Sequence, residues 1–200
     1  MVKKILKNQP EETFSKCDKK EKIYHKGPDE WYSFEAYLKR IEDIVKSKSF
    51  ETLKNEKELK ELLEALNSPY VKIRETAAKG LFDAAKKIKL NKKVLMPIIL
   101  AIDDNDSNVR STLRAIIEFA LENKYTVQSC IKEIGETLNS DNVNVKRKAI
   151  KTLDRLLKEG ISVDSAIPYV MRVSKDEDED SEIRYFAKKI LLRWEESNTL

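Results

Sequence analysis

Apolar residues along this chain fall into short ladders of helical spacing, and the ladders themselves recur every 36 residues. Leu59, Leu62 and Leu66 are matched by Leu95, Ile98 and Ile102, then by Ile131, Ile134 and Leu138, then by Ile167, Val170 and Ser174. A second ladder follows each of these. Its members are Ile73, Ala77, Leu81; Val109, Leu113, Ile117; Val145, Ala149, Leu153; and Ile183, Ala187, Leu191, the last set displaced by 38 positions instead of 36. Spacings of three and four place each ladder on one face of a helix. Two such helices per period, at a period between about 20 and 50 residues, describe a solenoid, because no hairpin can bury its apolar face alone.

Polar residues punctuate the ladders. Asn67-Ser68-Pro69, the run Asp103 to Asn108, the run Asn139 to Asn142, and Lys175 to Ser181 separate the two helices of each hairpin. Their Ser, Asp and Asn side chains are suited to cap the helix that follows. Gly160 is placed for a left-handed C-cap. Pro97 and Pro168 are expected in the first turn or so of their helices, where a missing N–H is tolerated. Ahead of the repeats, a helix from about Asp29 to Lys46 is predicted from Trp31, Phe34, Leu38, Ile41 and Val45. Its Tyr37, Ile41 and Val45 also match Ile73, Ala77 and Leu81 at the 36-residue shift. It is either a capping helix or a degenerate half-repeat, and both readings put Trp31 and Phe34 in the core.

Residues 51–197 resemble the HEAT repeat family. The segment LMPIILAIDDNDSNVRSTLRAII at 95–117 follows the family's leucine-proline helix, Asp-rich turn and Val-Arg start of the second helix. Residues 167–191 restate these elements as Ile-Pro, an acidic turn and Ile183-Arg184. Arg74, Arg110 and Arg184 hold the family's arginine slot, with Lys146 and Arg147 in its place in the third repeat. The turn aspartate occurs only as Asp103, with Asn67 and Asn139 elsewhere, so an Asp–Arg ladder between repeats is expected to be incomplete. The resemblance implies an all-α fold: a right-handed α-solenoid of about four HEAT-like hairpins with an N-terminal capping helix. It implies first helices on the convex side, second helices on the concave side, and a structural, turn-bracing role for the slot arginines. The organisation expected is a basic, partly ordered arm at 1–28, the capping helix or half-repeat at 29–50, and repeats within 51–200 at about 51–91, 92–126, 127–162 and 163–197.

Composition refines this picture without overturning it. Charged residues make up 37% of the chain and Gln occurs twice, a balance associated with hyperthermophiles, although Asn is not depleted. The net charge of +4 resides in residues 1–28, which hold eight lysines against four acids, whereas the remaining residues carry 31 bases and 31 acids. Such an arm can touch phosphates or acidic partners, or act only as a solubilising tail. Cys17 and Cys130 form no metal or redox spacing and are expected as free thiols. The start MVKKILKNQPEE lacks the apolar stretch of a signal peptide, and the run Val94 to Ile102, broken by Pro97, is too short to span a bilayer. A soluble, cytoplasmic protein is expected, with no membrane partner.

Candidate chemistry is sparse, and no enzyme activity is expected. The single histidine, His25, cannot supply the ligand pairs of a HEAT-like di-iron hydroxylase or a credible triad. Four scattered glycines make no phosphate loop. The acidic turns lack the loop pattern of an EF-hand and suit helix N-termini instead. No catalytic, cofactor-binding or metal-binding residue is assigned. A HEAT-like class of DNA alkylpurine glycosylases needs a Trp, Asp and Arg in one basic cleft, whereas Trp31 and Trp194 stand near opposite ends of the array.

The remaining lead is the polar face of the second helices. Lys148, Lys151, Arg155 and Lys158 are spaced 3, 4 and 3 apart on one face that holds no acid. Equivalent columns supply Lys79 and Lys86, then Lys189 and Arg193, while the second repeat offers only Arg114 beside Phe119 and Glu122. Asp83, Asp154, Glu118 and Glu196 lie on or beside the same helices. This face is either a basic concave groove for a phosphate backbone or acidic peptide, or an ordinary solvated surface. Phe119 and Tyr185 are the candidate apolar anchors. The expected function is a protein-binding scaffold working through its concave surface, or alternatively nucleic-acid binding through the groove and arm together. The sequence does not fix the oligomeric state.

Overall fold

The computed structural model describes residues 23–27, 30–47 and 56–198, with side chains described for 34–47 and 56–198. The chain divides into two compact units, residues 1–40 and 41–200. The arm residues 1–22, with Cys17, lie outside the described residues, as do the side chains of His25 and Trp31.

Within the first unit, β1 (Ile23–Gly27) pairs antiparallel with β2 (Glu30–Ser33), and the register is irregular between His25 and Gly27. The helix expected from about Asp29 therefore starts later. It is α1, Phe34–Lys46. The reason lies in composition, since Ile23, Tyr24, Trp31 and Tyr32 favour a pleated ribbon over a helix. The buried residues of α1 are Tyr37, Ile41 and Ile44, while Phe34, Leu38 and Val45 are half-buried. The helical stripe thus runs through Tyr37 and Ile41, as in the match to Ile73 and Ala77, rather than through Phe34.

Four helical hairpins follow. They are α2 (Glu56–Ala65) with α3 (Val71–Ala85), α4 (Lys92–Leu100) with α5 (Ser107–Glu122), α6 (Val127–Glu136) with α7 (Val143–Lys158), and α8 (Ile167–Lys175) with α9 (Ser181–Asn198). Every member of the apolar ladders is buried except Leu59, Val145 and Leu191. In α9 the buried positions are Ile183, Ala187 and Ile190, while Leu191, expected in the core, is half-buried. At that end Leu192 is exposed, while the half-buried Trp194 donates its indole N–H to Asp164 Oδ1 at 2.6 Å. Hydrogen bonds from Ser162 and Trp194 hold the Asp164 carboxyl below its ordinary pKa.

The turn residues behave as caps. Asp106 Oδ1 accepts from the backbone N–H of Asn108 and Val109, Asn142 Oδ1 from Asn144 and Val145, and Asp180 Oδ1 from Glu182 and Ile183. The first hairpin has Tyr70 in this column, and α3 starts without a side-chain cap. Gly160 sits at φ 78°, the left-handed conformation expected of it after α7. Pro168 lies in the first turn of α8. Pro97, however, lies well inside α4, because the Asn91 cap starts that helix at Lys92. Asn91 Oδ1 accepts from Val94 N–H, and the proline removes the bond that residue 97 would otherwise donate to Lys93.

The slot arginines brace turns, as the resemblance implied. Arg74 donates from Nε and Nη2 to both oxygens of Asp104, at 2.6 and 2.9 Å, and from Nη1 to the Ser68 carbonyl. Arg110 donates to the carbonyls of Asp104 and Asn105, and Arg184 to that of Glu177. The ladder between repeats is formed by Asp104 rather than Asp103. It reappears between the third and fourth repeats as Lys146–Glu179 and Arg147–Asp180, each 2.7 Å. It is missing between the second and third, where Asn139 and Ser140 stand at the positions of Asp103 and Asp104 and the one acid of the turn is Asp141.

That gap coincides with a change in packing. The second helices pack side by side as α3 on α5 and α7 on α9, but α5 and α7 do not. Instead α7 packs against α4 and α6. Continuing the 36-residue register would set Arg155 beside Phe119. It reaches Asp103, at the end of α4, with an ion pair of 3.0 Å. Glu159, just past α7, meets Arg110 and Arg114, in the first half of α5, at 3.9 and 3.8 Å. α7 therefore crosses the α4–α5 turn instead of lying along α5. Val145 was expected in the core with Ala149 and Leu153. It is 41% exposed, whereas its counterparts Ile73, Val109 and Ile183 are fully buried, because no α5 surface covers it.

Candidate functional site

The nine cations expected to form a basic face are placed on the second helices, but six of them are engaged by acids of the protein itself. Lys86 pairs with Asp83, and Arg114 with Glu118 and Glu159. Lys151 pairs with Glu182 at 2.7 Å and Arg155 with Asp103. Lys158 and Arg193 both pair with the buried carboxylate of Asp154. The acid-free face of α7 is thus compensated, by Glu182 and Asp103 from neighbouring hairpins and by Asp154 on α7 itself. Sequence spacing along one helix could not reveal partners 31 to 52 residues away. Lys189 lies over the rings of Tyr185 and Phe186. Lys79 and Lys148 are exposed and have no ion-pair partner among the described residues.

Electrostatics reinforces this view of a braced surface. The hydrogen bond to Asp180 raises the Arg147 guanidinium pKa and lowers that of the Asp180 carboxyl. Hydrogen bonds to Glu118 and Glu133 raise the pKa of the Arg114 guanidinium and of the Lys92 ammonium, respectively. Cys130 is a free, buried thiol whose pKa burial pushes up, so it lacks the thiolate character of a nucleophile. Of the two expected anchors, Phe119 is half-buried and Tyr185 is 61% exposed.

The displaced α7 opens two adjoining cavities that sequence reasoning missed. One, of about 250 Å³, is bounded by Met96 and Leu100 of α4, Glu133 and Ile134 of α6, Thr137, and Val145, Lys148 and Ala149 of α7. The other, of about 340 Å³, is bounded by Leu100, Asp103, Arg147, Lys148, Lys151 and Thr152. Leu100 and Lys148 line both. Thr152 is buried, and its Oγ1 has no hydrogen-bond partner. The signal for this site in the sequence is Ser140, which stands where the preceding turn has Asp104.

Among the described residues no group of three or more His, Cys, Asp or Glu side chains could hold a metal ion, and no helix is long and apolar enough to cross a membrane. No protein-family model matches the sequence, and no curated protein matches it. Solved structures do. One, from work on TOG–tubulin binding specificity in microtubule dynamics and mitotic spindle formation, is 16% identical with a TM-score of 0.50. That match covers 80% of this chain and 66% of the other, so the chain spans just under two thirds of that protein. A computationally designed armadillo repeat protein for modular peptide recognition is 14% identical over 78% of this chain and 74% of its own, with a TM-score of 0.36. With hairpins, ladders and turn-bracing arginines in place, the chain has a HEAT/armadillo-like repeat fold.

Proposed function

We propose that this protein is a non-enzymatic binding module that holds a protein partner against the polar face of its second helices. The observation that carries the reading is the internal neutralisation of six of the nine cations on that face. A groove that follows a phosphate backbone gains affinity by pairing free lysines and arginines with phosphates. Cations already committed to Asp83, Glu118, Glu182, Asp103 and Asp154 must first break those pairs. A surface of compensated charges beside exposed apolar groups such as Tyr185 and Val145 suits a protein interface, with apolar anchors and a polar rim. The solved structure of similar fold described for tubulin binding supports a protein partner as the class of ligand, without indicating which protein.

The test is copurification from cells of the source, with a photo-crosslinking residue at position 185 and with nuclease treatment. A defined protein crosslinked in both conditions is the expected result. Loss of all crosslinks on nuclease treatment, together with binding of the purified protein to duplex or single-stranded nucleic acid that weakens steeply between roughly 50 and 200 mM salt, would overturn it. Lys148→Glu is the suitable charge probe, since Lys151 and Arg155 also hold neighbouring hairpins together.

A further inference from the structure

The joint between the second and third hairpins combines three features found together nowhere else among the described residues. An apolar cavity of about 250 Å³ opens to solvent between Met96, Leu100, Ile134, Val145 and Ala149. Beside it stands the ammonium of Lys148, without an ion pair, on the wall of the second cavity. Thr152, one turn further along α7, lines that second cavity, and its buried hydroxyl has no hydrogen-bond partner. A buried hydroxyl without a partner costs free energy that an incoming polar group would restore.

The geometry points to this joint as a docking site for a linear peptide that presents a large apolar side chain followed closely by an aspartate or glutamate. The apolar side chain enters the cavity under Val145. The carboxylate lies over Lys148 and accepts from its ammonium and from the Thr152 hydroxyl. Arg147 and Lys151 stand on the same wall, paired with Asp180 and Glu182, which leaves Lys148 as the cation there without an ion pair among the described residues. The acids that line the two cavities are both paired, Asp103 with Arg155 and Glu133 with Lys92. Charge also argues against the protein's own N-terminal arm as occupant, because residues 1–28 carry eight lysines against four acids. The proposal rests on the protein-binding reading and names the site and the partner's chemistry.

The experiment is selection of a random linear-peptide library displayed on phage against the full chain, followed by titration of the best labelled peptide. Enrichment of an apolar residue next to Asp or Glu is expected. Affinity should fall about tenfold or more with Lys148→Glu and also with Val145→Asp, and severalfold with Thr152→Val. The sharper readout is specificity, because Lys148→Glu should accept the same peptide with its acid replaced by lysine. That gain cannot arise from misfolding. Motifs without an acid, basic motifs like the protein's own arm, self-association lost in Val145→Asp, or binding indifferent to all three substitutions would each overturn the assignment. If position 185 still crosslinks a protein partner while the joint selects no acidic peptide, the binding function stands and this site does not. If neither occurs, both fall.

Discussion

The interface between the third and fourth hairpins and the joint between the second and third are made from the same apolar columns, yet they pack differently. At the former, α7 lies along α9, Ile183 is fully buried, and Lys146, Arg147 and Lys151 pair with Glu179, Asp180 and Glu182. Gly135 lets α8 approach closely, since a side chain there would run into Ala166 and Tyr169. At the latter, α7 has left α5, and Val145 in the same column is exposed. The apolar periods do not distinguish the two. What differs is the turn chemistry, because Asp104 and the pair Glu179–Asp180 each answer a base one hairpin earlier, while the third turn sets no acid opposite Arg110. Apolar periodicity makes hairpins stack, and the charged rungs set the register in which the second helices stack.

Among changes to the turns, the largest effect should follow from cutting a rung in a regular interface. Arg74→Ala leaves the nearly buried Asp104 carboxylate without its bidentate partner, and should cost about 3 kcal/mol in urea unfolding. Truncating Arg110, whose nearest acid is 3.9 Å away, should cost far less. Equal losses would break the comparison.

Acid should act next, and on the regular side. The carboxyls of Asp180 and Asp164 titrate below the ordinary aspartate value in the folded protein, the first through Arg147 and the second through Ser162 and Trp194. A depressed folded pKa contributes stability that is fully present above the unfolded value and is lost as pH falls through the folded one. Hydrogen exchange in α9 should therefore accelerate below about pH 4, before that in α3 and α5. Uniform acceleration along the solenoid would contradict this assignment.

The smallest effect is a gain. Ser140 occupies the place, 30 residues after Arg110, that Asp104 occupies after Arg74. Ser140→Asp should supply the missing rung, raise stability by up to about 1 kcal/mol, and draw α7 toward α5. A crystal structure of the variant would show whether Val145 becomes buried.

Much of this was legible in the residues. The 36-residue columns located all four hairpins and nearly all of their core, and Asp106, Asn142 and Gly160 announced their caps. The β1–β2 pairing was not seen, because two short aromatic strands give little periodic signal beside a strong helical one. Leu191 holds the column of Leu81, Ile117 and Leu153 yet is half-buried, because no further hairpin among the described residues packs on α9. The compensated charges and the open joint were hidden for a common reason. Both depend on how hairpins align with one another, which a pattern internal to each hairpin does not encode. Ser140, in the place that Asp104 holds one hairpin earlier, is the visible trace.

The most direct test of the joint is a matched pair of substitutions in one column, Val109→Asp and Val145→Asp, compared by urea unfolding. The account predicts that Val109→Asp, which forces an unpaired charge into a fully buried site, costs about 4 kcal/mol or more, and that Val145→Asp costs under about 1 kcal/mol. Equal, large losses at both positions would mean that α7 lies along α5 after all and that the joint does not exist.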